Sequence, residues 1–123
     1  MQKGRNPTRE LYGILGKMDN SSAILREWNS YFREQGMDAS MERYPASTEN
    51  LPERLSEMFH FDRRLYLVSD ALGEAIIPLL DAVDALAQNK VNVVVNKNGI
   101  MTGYYKESPS PLTLIEKDPR GVT

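Results

Sequence analysis

The residues able to do chemistry are few, and their types narrow the choice. The chain of 123 residues has no cysteine and one histidine, His60. Thiolate nucleophiles, disulfides and cysteine-ligated metals are excluded, and a single histidine cannot build a histidine-based metal site, so no metal is expected. Gly13 and Gly16 are too sparse for the glycine-rich strand-to-helix turn that cradles a dinucleotide. The 15 basic and 17 acidic side chains leave a net charge of −2. That balance gives no reason to expect nucleic acid or an anionic membrane as partner. His60 reads as a surface or capping residue, and Glu74, Asp81 and Asp84 as a solvated acidic helix face. Three polar side chains each have two readings. Ser22 either caps a helix or contacts a ligand. Ser69 ends an apolar run, and its hydroxyl serves either neighbouring backbone or a ligand. Asn92 lies between valines and needs partners, structural or bound.

These residues have to be positioned by the elements around them. Residues 1–10 are polar, with Gly4 and Pro7, and read as a flexible arm. Leu11 to Leu15 reads as a buried strand. Ile24, Leu25, Trp28, Tyr31 and Phe32 then recur at helical spacing, with Gly36 placed for a left-handed C-terminus and Trp28 expected in the core. A strand over 40–44 closes at Pro45. A short helix follows on Leu51, Leu55, Met58 and Phe59, with Pro52 in its first turn. Leu65 to Val68 is apolar throughout and predicts a strand buried on both faces. The apolar density from Glu74 to Gln88 predicts a helix kinked or divided at Pro78. Asn98-Gly99 between Val91–Val95 and Ile100–Tyr105 predicts a hairpin. A tail over 108–123 is expected to be irregular apart from Leu112 to Ile115.

The alternation β-α-β-α-β-α followed by a hairpin predicts a three-layer α/β domain over 11–107. Its mixed sheet is mostly parallel, with one antiparallel strand from the hairpin, and helices flank it. Ligands of such sheets bind outside the carboxyl ends of the strands, here the loops beginning at Gly16, Ser69 and Tyr105. Lys3, Arg5 and Arg9 precede no apolar run, and nothing approaches the roughly 20 apolar residues of a membrane helix. No membrane partner and a cytoplasmic location are expected.

The ordered set from Leu11 to Glu107 resembles the substrate-binding domain of the shikimate dehydrogenase family. Its residues are Tyr12-Gly13-Ile14-Leu15-Gly16, Asn29-Ser30-Tyr31-Phe32, Glu74 to Asp81, Val91 to Asn96, Gly99 and Gly103-Tyr104. The resemblance implies hydride transfer between NADP and the 3-hydroxyl of shikimate, with a positioned acid–base group at the reacting oxygen. The family's HSxSP motif falls on Ser21 to Leu25, keeping Ser22 but placing Ile24 at the second serine. Its VTxPxK motif falls on Val68 to Gly73, keeping a hydroxyl at Ser69 but placing Gly73 at the catalytic lysine. Asn92 matches the family asparagine. The GxNTD motif falls on Gly103 to Glu107, so Glu107 stands at the aspartate position and Lys106 at the threonine.

The resemblance therefore implies a shikimate 5-dehydrogenase-like domain without oxidoreductase activity of its own, a pseudoenzyme acting as a binding or interaction module. Ser22, Ser69 and Asn92 are its substrate-binding candidates. No catalytic residue is assigned beyond the position of Glu107. The family continues into a Rossmann domain, whereas 16 residues follow Glu107 here, with Gly121 their one glycine. No cofactor is expected, NADP only where a partner domain supplies its site. The alternative is the substrate-binding half of an NADP-dependent shikimate or quinate dehydrogenase, completed by a separate or missing Rossmann domain. The expected partner is a shikimate-like small molecule bound weakly. Donors are lost at Ile24 and Gly73, each contributing about 1–3 kcal/mol. Apolar surface left uncovered would drive homo-oligomerisation.

Overall fold

The apolar runs and amphipathic segments fold, in a computed structural model describing residues 9–116, as β1 (Glu10–Leu15), α1 (Ser21–Glu34), β2 (Ala39–Tyr44), α2 (Leu51–His60), β3 (Arg63–Val68), β4 (Ala82–Val83), β5 (Val93–Lys97) and β6 (Ile100–Tyr104). Most of the expected arm and the end of the expected tail lie outside the described residues.

The sheet order is β2-β1-β3-β5-β6-β4. β1 pairs in parallel with β2 and β3, β4 pairs in parallel with β6, and β5 is antiparallel to both of its neighbours. One strand of the six therefore opposes the rest, and it comes from the hairpin. Asn98 and Gly99 take φ of 55° and 88°, the left-handed pair that a two-residue hairpin with the sheet's natural twist requires.

Side chains alternate across each strand, so the sheet builds a core on both faces. Tyr12, Ile14, Leu65, Leu67, Val93 and Val95 pack on one face against Trp28 and Phe32 of α1. Leu15, Tyr66, Val68, Val94 and Met101 pack on the other against Leu51, Leu55 and Met58 of α2. Gly36, at φ 67°, ends α1 by letting the Gly36 and Met37 amides donate back to Arg33 and Phe32 carbonyls. Leu114, in a single turn over Leu112–Glu116, is buried on the α1 face, so the chain after β6 returns to the sheet. No helix among the described residues is long and apolar enough to cross a membrane.

The helix expected over 74–88 does not form. The segment breaks into 3₁₀ turns at Ile77–Leu79 and Ala85–Ala87 around the two-residue strand β4. Pro78 lacks the amide a helix interior needs, and the carboxylates have other work. Asp81 accepts from the Met101 amide at 2.8 Å, and the Asp84 side chain accepts from the Leu86 amide at 3.1 Å. Glu74 and Asp81 are exposed as expected, but they sit on no helix: the edge is stitched to β6 at Asp81 and capped at Asp84.

Candidate functional site

The parallel strands β1, β3 and β6 end together, and β5 begins beside them. Around these ends lies a cleft of about 530 Å³. Met18 and Asn20 from the loop after β1, Ile24 and Glu27 from α1, Asp70 after β3, Lys90 and Asn92 before β5, and Tyr105, Ser110 and Thr113 after β6 contribute to its lining. The volume suits a small organic ligand.

Asn92 stands in this cleft, held firmly. Its Nδ2 donates to the Lys106 carbonyl at 2.7 Å, and its Oδ1 accepts from the Lys106 amide at 2.8 Å. The asparagine thereby ties the loop after β6 to the segment entering β5, with both ends of its amide bonded to the Lys106 backbone. Ile24 also faces the cleft, so an apolar side chain occupies the position where the motif has a serine.

The other candidates lie elsewhere. Ser22 is exposed on the first turn of α1, where Arg43 Nη2 donates to its Oγ at 2.9 Å and Arg43 Nε donates to Ser21 Oγ at 3.0 Å. The helix cap residue is Asn20, without a side-chain cap bond, so Ser22 is neither cap nor cleft lining. Ser69 is 2% exposed, and its Oγ has no hydrogen-bond partner among the described residues. It sits against Gly16, whose φ of 93° and lack of a Cβ leave room for the hydroxyl. Glu107 is exposed beyond the lining, and the Lys106 ammonium lies 5.2 Å from the Tyr104 ring centroid. Trp28 is buried in the core and His60 is exposed at the end of α2.

An orphaned hydroxyl gives a simple expectation for Ser69. Ser69→Ala removes no hydrogen bond and relieves a buried polar group, so thermal unfolding should show stability unchanged or raised by about 1 kcal/mol. A loss larger than about 1 kcal/mol would show a bonded role for the hydroxyl.

The charged part of the cleft is not evident from the sequence motifs. Lys90 Nζ lies 2.7 Å from Asp70 Oδ1. The hydrogen bond from Lys90 to Asp70 raises the Lys90 pKa above its ordinary value. Gly73 is buried beneath this pair. A Cβ there would come within 2.8 Å of the Val91 carbonyl oxygen and 2.9 Å of Lys90 Cγ.

Among the described residues, the turn from β1 to α1 does not fit the phosphates of NADP. A phosphate cradle at a strand-to-helix turn needs open backbone amides at close glycines. In the turn from β1 to α1 the space over Gly16 is filled by Ser69, and the chain continues Lys17-Met18-Asp19-Asn20 with no further glycine. Among the described residues no three His, Asp or Glu side chains converge as a metal site.

The fold and cleft together define an α/β domain whose mixed sheet carries a polar cleft at its strand ends. No family model matches the chain. It is 32% identical over 98 residues to the NADP-dependent shikimate dehydrogenase of Bacillus cereus strain 03BB102, covering 78% of this chain and 35% of that enzyme. The shikimate dehydrogenase structure from Aquifex aeolicus superposes with a TM-score of 0.73 at 28% identity, over 81% of this chain and 38% of that one. The shikimate 5-dehydrogenase of Thermus thermophilus, solved in complex with shikimate, gives 0.68 at 26% identity, over 77% and 37%. Over this stretch the chain is similar in sequence and fold to the shikimate dehydrogenases, and it spans about a third of the length of the curated relatives it matches.

Proposed function

We propose that the chain is a shikimate-dehydrogenase-type substrate-binding domain that takes a shikimate-like hydroxylated carboxylate in its cleft, weakly, and performs no hydride transfer by itself. The observation that carries the second half is Gly73. At the motif position of the proton-handling lysine there is no side chain, and the packing around it leaves no space for one. Reduction of a ketone delivers a hydride and a proton to adjacent atoms, and without a positioned acid the proton has no donor of matched pKa. The first half is supported by the cleft's place at the strand ends, by Asn92 within it, and by a relative solved with shikimate. Ser22 and Ser69 enter this reading only if ligand binding redirects them, and Glu107 only if its loop moves inward.

The test is a turnover assay of the purified chain with shikimate and NADP, followed by the absorbance of NADPH. The expected rate equals the blank. Any protein-dependent rate above it contradicts the reading.

A further inference from the structure

We propose that Lys90 and Asp70 form a hydroxyl-binding pair in the cleft, with Lys90 supplying the cation that Gly73 lacks. This rests on the reading of the cleft as a site for a hydroxylated carboxylate, and names the residues that would hold a hydroxyl.

The glycine and the lysine are complementary in space. A Cβ at Gly73 would lie 2.9 Å from Lys90 Cγ, so any larger residue displaces the lysine stem. Gly73 has φ −62° and ψ −30°, a conformation open to every residue, so room rather than backbone geometry calls for glycine. The segment carrying Lys90 is pinned on both sides of it. The Lys90 amide donates to the Ala87 carbonyl at 3.0 Å, and the Val91 amide donates to the Gly73 carbonyl at 3.0 Å. The stem then delivers the ammonium to Asp70, and both residues line the cleft beside Asn92.

Folding stability does not account for the pair. Its side chains are 40% and 90% exposed, and ion pairs of that kind add little to stability. What the pair offers is a donor next to an acceptor. An ammonium only donates, a carboxylate only accepts, and a hydroxyl does both, so one hydroxyl bridges the two. A ligand carboxylate placed on Lys90 would meet Asp70 as a like charge. The cation and its acceptor therefore select a hydroxyl.

The experiment is a shikimate titration of the wild-type chain, Lys90→Met and Asp70→Asn, following backbone amide shifts. Methionine keeps an unbranched stem over Gly73, and the exposure of both positions lets the variants fold. Each variant is expected to raise the Kd about ten-fold or more, the usual effect of losing a hydrogen bond to a charged group. An unchanged Kd in Lys90→Met overturns the pair while leaving wild-type binding, and the reading of the cleft, intact. Weaker binding in Lys90→Met with tighter binding in Asp70→Asn puts the ligand's carboxylate on Lys90, which also overturns the hydroxyl assignment. A wild-type chain with no saturable shifts overturns the reading and the pair together.

Discussion

Gly73→Lys is expected to lose about 2–3 kcal/mol of stability and to gain no turnover of shikimate with NADP. In a solvent-filled vacancy the substitution would be the obvious restoration of the motif. Here the new Cβ meets the Val91 carbonyl oxygen at 2.8 Å and the Lys90 stem at 2.9 Å. Lys90 is long and partly exposed and can swing aside, but the carbonyl is backbone in the segment that leads into β5. The strain therefore falls on the Val91–Gly73 hydrogen bond, and overpacking of this kind typically costs about 1–3 kcal/mol. Displacing Lys90 also breaks its contact with Asp70, which adds little to the stability loss but places a second mobile cation at the cleft. Urea unfolding of the variant, with an NADPH assay alongside, checks both parts. A variant as stable as wild type would show that the packing around Gly73 is loose, and turnover would show that a lysine there is sufficient.

Asn96→Ala is expected to be the more damaging change, by about 3–4 kcal/mol. Asn96 is 2% exposed in β5 and holds three backbone groups from three elements. Its Nδ2 donates to the Met58 carbonyl in α2 and to the Arg63 carbonyl at the start of β3, each at 3.1 Å. Its Oδ1 accepts from the Gly99 amide at 2.9 Å, steadying the hairpin turn. Alanine strands those partners in a region with little access to water, and each stranded group costs about 1–3 kcal/mol before relaxation. Asn96→Asp should be no better, since a carboxylate would face two carbonyl oxygens with nothing to donate. The measurement is the denaturant midpoint at constant slope. A loss below about 1 kcal/mol would mean that water replaces the side chain and that the link between α2, β3 and the hairpin is not structural.

Local chemistry made much of the fold legible in the sequence. Helices α1 and α2 announce themselves by spacing and by their flanking Gly36 and Pro52. The hairpin announces itself through Asn98-Gly99, because few other pairs accept two left-handed residues. The segment 74–88 misled for a physical reason. Its apolar density is that of a helix, but what decides its path is an edge pairing with β6 and two aspartates that accept backbone amides, and neither is visible in periodicity. The site divides the same way. Asn92 matches a family position, and the structure places it in the cleft lining. Ser22 and Ser69 matched by position too, yet the structure turns one toward Arg43 and seals the other against Gly16. Lys90 was not legible at all. Its place depends on the missing side chain of a glycine 17 residues earlier in the chain (90 minus 73), whose room the Lys90 stem takes, a fact of packing and not of motif.

The account stands most directly on whether the cleft takes shikimate. The decisive measurement is a titration of the wild-type chain with shikimate, following the Asn92 side-chain amide and the backbone amides of Asp70, Lys90 and Lys106. The account predicts saturating shifts at these groups with a Kd on the order of 1 mM, the range left when one or two donors of a tighter site are missing. It also predicts still signals at Asn96 and along α2, which lie away from the cleft lining. Signals at Asp70, Lys90, Asn92 and Lys106 that stay fixed throughout the titration, or shifts centred instead on α2 and the hairpin, would contradict it.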